Sequence, residues 1–221
     1  MHNRSDTQHM EKEISRATLK RLPTYLSYLK ALPSEASANI SATALAAGLH
    51  MGEVQVRKDL ALVSSGGRPK IGYNRAALIA DIEQFLGYGN TNDAVLIGAG
   101  KLGLALMAYS GFEAYGLNIQ AAFDVAPSME KTEDGQPIYP ITKLEHYCKL
   151  HKVLMGIITV PASAAQEVAN MLIAGGVKAI WNFAPTHLDV PENILVQNEN
   201  MATSLAVLSV HLRAAIKEEK K

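Results

Sequence analysis

Ala94-Val95-Leu96-Ile97 runs directly into Gly98-Ala99-Gly100-Lys101-Leu102-Gly103, and a helical pattern follows. A short apolar run, a glycine turn and a helix make a strand–turn–helix unit. Each glycine in such a turn meets a separate need: a tight reversal at Gly98, close approach of backbone to a pyrophosphate at Gly100, and close helix–strand packing at Gly103. A helix starting near Lys101 and Leu102 offers free N–H groups and the positive end of its dipole to an anion. Further on, Ile119-Gln120-Ala121-Ala122-Phe123-Asp124 reads as a second strand ending in an acid. That acid stands about 20 residues past the last glycine, where a ribose-binding carboxylate belongs. Asp124 would accept hydrogen bonds from ribose hydroxyls and repel a 2′-phosphate, which favours NAD(H) over NADP(H). Taken alone, the glycines equally suit a plain tight turn and Asp124 an ordinary strand end. Strand, turn, helix and acid together point to dinucleotide binding across Gly98, Ala99, Gly100, Lys101, Leu102, Gly103 and Asp124.

The alternation continues towards the C-terminus. Pro137 to Pro140, Val153 to Val160, Val177 to Phe183 and Ile194 to Gln197 read as strands, with a helix over Ala162 to Ala174. Strands alternating with helices predict a doubly wound parallel sheet of Rossmann type, with right-handed crossovers. Ligands of such sheets bind beyond the carboxyl ends of the strands. Thr159, Val160 and Pro161, and then Asn182 and Phe183, therefore become cofactor candidates. Phe183 fits either a ring over a nicotinamide or a core aromatic.

The N-terminal part reads differently. Leu19, Leu22, Leu26, Leu29 and Leu32 mark one helical face, which Pro23 is expected to end or kink near Leu22. Ser41 is an expected N-cap and Gly48 an expected residue just past a very short helix. A turn of about four residues then leads to a helix from about Glu53 to Val63, with Val54, Leu60 and Val63 on one side. This is a helix-turn-helix arrangement, whose second helix turns Gln55, Arg57 and Lys58 outward for base edges and phosphates. Gly66 to Tyr73 reads as a tight basic hairpin, the wing of a winged helix, bringing Arg68, Lys70 and Tyr73 to DNA. The helix Arg75 to Leu86 closes this domain. A packing unit or a partner-binding module would show the same helix pattern.

Charge sharpens the reading. Residues 1–88 carry eleven Lys or Arg against eight Asp or Glu, in a chain of 221 residues whose formal net charge is zero. Within Gln55 to Arg75 the basic residues face a single acid, Asp59. One cysteine, Cys148, excludes an internal disulfide and a cysteine-based metal cluster, and the seven histidines form no recognisable ligand pattern. The apolar runs are too short to span a bilayer and no leader pattern opens the chain, so a cytoplasmic protein is expected. Four segments follow: a disordered stretch over residues 1–13, a DNA-binding domain over 14–88, a nucleotide-binding domain over 89–200 and a terminal helix over 201–221. That last helix carries a long apolar surface at Leu205, Leu208 and Leu212, to be buried on its own domain or on a second subunit.

This order resembles the redox-sensing transcriptional repressor family called Rex. The resemblance is carried by Ala17-Thr18-Leu19-Lys20-Arg21-Leu22, Val56-Arg57-Lys58-Asp59-Leu60, Ile71-Gly72-Tyr73, the glycine turn with Tyr109-Ser110-Gly111-Phe112, Phe123-Asp124-Val125, Thr159-Val160-Pro161-Ala162 and Trp181-Asn182-Phe183-Ala184-Pro185. It implies a homodimer that holds a palindromic operator when NADH is scarce and releases it as NADH rises against NAD. It also implies a C-terminal helix exchanged between subunits, and places Tyr109 near the nicotinamide and the subunit boundary. Two departures stand out. An acid usual after the last strand is matched here by Asn200, and the basic residue able to pair with it by Ser27. The wing reads Gly67-Arg68-Pro69-Lys70 where an Arg-Gly is usual. The competing readings are an NAD-dependent dehydrogenase, for which no acid/base residue stands out at a strand end, and a DNA-binding regulator sensing another nucleotide. No catalytic residue and no metal ligand is expected.

Overall fold

The computed structural model describes residues 14–33, 35–88 and 92–218. The expected disordered segment over residues 1–13 lies outside them, as do residues 89–91 of the stretch between the domains. The chain divides into two compact units, residues 1–89 and 90–221.

The first unit runs α1 (Arg16–Ala31), β1 (Asn39–Ile40), α2 (Ala42–Gly48), α3 (Glu53–Val63), β2 (Tyr73–Asn74) and α4 (Arg75–Leu86). Side-chain oxygens start three of the helices: Ser15 caps α1 through the Thr18 N–H, Ser41 caps α2 through Ala44, and Asn74 caps α4 through Ala77, at 3.0–3.1 Å. Contrary to the expectation from Pro23, α1 continues through it. The proline forfeits one backbone hydrogen bond, while Leu22 before it and Tyr25, Leu26 and Leu29 after it are all locked into one core with Leu45, Val56, Leu60, Leu78 and Ile82. Gly48 also differs from expectation. It lies inside the last turn of α2, and the left-handed residue beyond is His50, at φ 54°. Glycine is needed at 48 because the Tyr28 ring fills the place of a Cβ. β1 pairs antiparallel with β2, Ile40 opposite Tyr73, and reciprocal Arg68–Gly72 backbone bonds of 2.9 Å close the wing between α3 and β2.

The second unit is a six-stranded, all-parallel sheet of β3 (Asn92–Ile97), β4 (Leu117–Asp124), β5 (Ile138–Pro140), β6 (Met155–Ile158), β7 (Ala179–Asn182) and β8 (Leu195–Asn198), in the order β5-β4-β3-β6-β7-β8. This doubly wound order reverses between β3 and β6 and so opens a crevice there. Alternation along β3 sends Val95 and Ile97 to one face, with Phe123, Leu144, Cys148 and Val168, and Ala94 and Leu96 to the other, with Met107, Ile119 and Ile157. A bulge opposite Ala94 and Val95 restores the matching faces on β4. Helices α5 (Lys101–Met107), α6 (Leu144–His151) and α7 (Ala162–Ala174) supply the crossovers, and a 3-10 turn covers Ser110–Tyr115. Cys148 is buried, and burial pushes its thiol up to about 11, as expected for a structural cysteine. The last helix, α8 (Met201–Glu218), leaves Leu205, Val207, Leu208, Val210 and Leu212 exposed. No helix among the described residues is long and apolar enough to cross a membrane.

Close packing of α5 on the sheet rests on Gly103, whose Cβ would collide with the Gly98 carbonyl and stand 3.0 Å from Thr159 Oγ1. Gly103→Ala is expected to lower stability by about 1–3 kcal/mol, as other overpacked sites do, read as a drop in the thermal midpoint.

Candidate functional site

The glycine turn is held from three sides. Gly98 has φ 102°, which a side chain would strain, and its N–H donates to Phe123 O at 2.8 Å. Thr159 donates its N–H to Ile97 O at 2.9 Å and its hydroxyl to Gly98 O at 2.8 Å and Ile97 O at 3.0 Å. Asp124 Oδ2 accepts the Ala99 N–H at 2.8 Å, and Oδ1 accepts the Ala126 N–H at 3.0 Å. Each carboxylate oxygen keeps further lone-pair capacity for a ribose hydroxyl.

A cleft of about 500 Å³ opens over this turn, lined by Gly98, Gly100, Asp124, Thr159, Val160 and Pro161 of the expected residues. At Gly100 a Cβ would meet nothing within 4 Å, so the backbone there borders open space of the kind a pyrophosphate fills. Lys101 and Leu102 are exposed in the first turn of α5, which has no side-chain cap. Ala99 meets Asp124 through its backbone, and Gly103 acts through packing. Ile141, Thr142, Ala164, Glu167 and Met171, which the sequence did not point to, are also among the wall residues, the last three on one side of α7.

The other expected residues lie elsewhere. Tyr109 and Phe183 end an aromatic row, Tyr109–Phe112–Trp181–Phe183, with centroid separations of 4.9, 5.6 and 4.8 Å, the first two pairs edge-to-face and the last tilted. Phe183 packs with the Ala94–Leu96 face of the sheet, and Tyr109 is half exposed. Asn182 is a correction. Fully buried, its amide donates to Ala184 O, Thr186 O and Asn198 Oδ1 and accepts from the Ala184 N–H, so the side chain ties the β7 turn to β8 instead of facing a ligand. Asn200 caps α8 by accepting the Thr203 N–H at 3.1 Å, and Ser27 is exposed on α1.

In the first unit, α3 buries Val56, Asp59 and Leu60 and exposes Gln55, Arg57 and Lys58. Arg57 pairs back along the helix with Glu53. Arg68 and Lys70 are exposed on the wing, Lys70 in a left-handed conformation with φ 65°. This is where the sequence departs from an Arg-Gly, and a side chain in that conformation costs roughly 1–2 kcal/mol. Tyr73 is corrected to the interior. As the β2 partner of Ile40 it alternates inward, and its ring lies under Gly67, holding the wing from beneath.

The single acid amid the basic run has a role that its sequence context did not show. Asp59, 1% exposed, accepts from Arg21 Nε at 2.7 Å and Nη2 at 3.0 Å, Tyr25 OH at 2.7 Å, Thr18 Oγ1 at 3.2 Å and Gln55 Nε2 at 3.0 Å. Burial pushes this carboxyl up, but the hydrogen bonds from Arg21, Tyr25 and Gln55 outweigh it and hold it below the usual range. Burial, then the bond to Asp59, pushes Tyr25 up to about 12.

Two family models match the chain. Residues 90–186 match the CoA binding domain family and residues 13–61 the putative DNA-binding protein N-terminus family. A redox-sensing transcriptional repressor Rex of Porphyromonas gingivalis is 40% identical over 205 residues, 92% of this chain and 94% of that one. That of Bacteroides fragilis is 40% identical over 203, covering 91% and 92%. The chain belongs to the Rex family. Rex proteins are transcriptional repressors, so the dehydrogenase reading falls. A solved Rex-family repressor, RSP, in complex with β-NAD+ and operator DNA, superposes with a TM-score of 0.85 at 31% identity, covering 94% of this chain and 96% of that chain. Its complex with β-NADH gives 0.82 at 30%, covering 95% and 99%.

The buried network sets a pH dependence. Asp59 titrates lower when folded than unfolded, so its contribution is present above the unfolded value of about 3.9 and is lost as pH falls through the folded one. Tyr25 titrates higher when folded, so its contribution is present below about 10 and is lost as pH rises through about 12. Thermal melts of the wild type are expected to show a stability plateau that falls at both ends, with Tyr25→Phe reducing the alkaline limb and leaving the part that buried Cys148 contributes.

Proposed function

We propose that this chain is a homodimeric repressor that binds a palindromic operator while NADH is scarce and releases it when NADH fills the cleft over the glycine turn. The observation that carries this is the join, in one chain, of an exposed basic helix and wing with a cleft whose floor is Gly98, Gly100 and Asp124. Gly98, Ala99, Gly100, Lys101, Leu102 and Gly103 hold the pyrophosphate and Asp124 the ribose. Thr159, Val160 and Pro161 wall the site, and Phe183 and Tyr109 serve the nicotinamide side. A coenzyme A, whose ribose carries a 3′-phosphate, would set that phosphate beside the Asp124 carboxylate, which favours NAD(H). Arg57, Lys58, Arg68 and Lys70 neutralise phosphates and reach base edges. The apolar side of α8 is too large to stay in water and pairs with a second subunit. DNA and NAD(H) meet in the cytoplasm, where this reading locates the protein.

Switching needs a difference in affinity. NADH must favour the DNA-free arrangement by about 5 kcal/mol to move nearly the whole population. NAD differs only by a positive charge and a flat aromatic ring, so the discrimination sits at the nicotinamide and the adenosine half anchors both forms. With Asn200 and Ser27 in place of an acid and a base, that coupling runs here without the ion pair.

The test is fluorescence anisotropy of a labelled palindromic operator at fixed salt, titrated with NADH and separately with NAD. NADH is expected to release DNA at far lower concentration; equal effects would sink the redox reading. Gly100→Val keeps an allowed backbone and open surroundings, so it is expected to fold normally, bind operator and lose at least tenfold in NADH affinity by calorimetry. Lys58→Ala should do the reverse, weakening operator binding several-fold and lowering the salt slope by about one, with NADH binding intact.

A further inference from the structure

We infer that Gln55 reads a base through its amide oxygen, and that Asp59 fixes that direction, so the operator carries a base with an exocyclic amino group, adenine or cytosine, opposite Gln55. This rests on the DNA-binding reading above and deepens it at one residue pair.

Gln55 is exposed on α3, yet its amide nitrogen is already engaged, donating to Asp59 Oδ1 at 3.0 Å. Every other group on that carboxylate is a donor as well: the Arg21 guanidinium through two nitrogens, the Tyr25 phenol and the Thr18 hydroxyl. A carboxylate so surrounded is an acceptor only. Turning the Gln55 amide over would set its carbonyl oxygen against a carboxylate oxygen, so the amide has one stable direction. The nitrogen points to the core and Oε1 points outward. The rotamer freedom that a loose glutamine would lose on binding is already gone.

The neighbouring side chains cannot do the same work. Arg57 and Lys58 carry only donors, and Arg57 is drawn back to Glu53. Of Gln55, Arg57 and Lys58, Gln55 alone presents an acceptor, and the other acceptor on α3 apart from buried Asp59, the Glu53 carboxylate, is taken by Arg57. In the major groove the complementary donors are the N6 amino group of adenine and the N4 amino group of cytosine; guanine O6 and thymine O4 would repel it. Asp59 touches no DNA in this account. It is a positioning residue, and Arg21, Tyr25 and Thr18 hold it in place from α1.

The experiment is selection from a randomised palindromic pool with the full-length wild type, Gln55→Ala and Asp59→Asn, followed by anisotropy on synthetic operators. In the wild type, one position per half-site should favour adenine or cytosine, and an analogue lacking the amino group there should weaken binding about tenfold. Gln55→Ala should lose preference at that position alone. Asp59→Asn, checked by circular dichroism and by binding to non-specific DNA, should lose the same preference. If it does not fold, base analogues on the wild type decide: with the amide turned as inferred, removing the amino group of the read adenine or cytosine weakens binding, and an operator that tolerates its removal overturns the inference. Unchanged preferences in Gln55→Ala, guanine or thymine at the affected position, or a folded Asp59→Asn that keeps the preference would overturn the inference. Enrichment of no sequence by the wild type would overturn the repressor reading itself, and this one with it.

Discussion

The nucleotide-binding unit depends on how closely the chain can pass itself where β3 turns into α5. The turn must approach β6 and the end of β4 at once, because the strand order reverses at this point. Thr159 supplies one contact through its hydroxyl and N–H, and Asp124 the other through the Ala99 N–H. A side chain at Gly98 would press on Thr159 and Val160, and one at Gly103 on the Gly98 carbonyl and Thr159, so either would force the turn away from β6. What opens beside the turn is a cleft bounded by the same residues that hold it shut on the protein side. The residues that hold the turn and those that border the cleft are therefore largely one set, which ties shape and the proposed binding together.

Asp59 has the corresponding place in the first unit. A buried carboxylate is unfavourable unless surrounded by donors, and here four side chains converge on it from α1 and α3. Removal of a single donor leaves a charge poorly satisfied, so the network is a demand for one mutual setting of the two helices. Apolar packing of Leu22, Leu26, Val56 and Leu60 provides most of the driving force, but such contacts tolerate small slides. The ionic network narrows that freedom beside the surface meant for DNA.

The elements easiest to see in the sequence were those with strong periodicity or explicit stop signals. The helices read over Glu53 to Val63, Arg75 to Leu86 and Ala162 to Ala174 have those bounds, although on α3 the buried valine is Val56 and Val54, read onto that side, is exposed. Side-chain direction was harder. Tyr73 and Asn182 carry groups suited to ligands, and only their partners, Ile40 across the pair and Asn198 on β8, show that both face inward. Pro23 was misleading because local propensity competes with tertiary burial, and here burial prevails. The role of Asp59 was hidden for the opposite reason: one acid in a basic run looks like dilution of charge until its donors on α1, 34 to 41 positions earlier in the chain, are brought beside it.

Trp181 is the single tryptophan of the chain, set between Phe112 and Phe183 with its indole N–H on Glu199 Oε1 at 3.0 Å. The indole emission of this protein thus originates at one point, on the side of the sheet assigned to the nicotinamide. A dihydronicotinamide absorbs where indole emits, and the oxidised ring does not. With the nicotinamide bound on the proposed side, that one indole is an optical probe that the reduced form dims and the oxidised form does not.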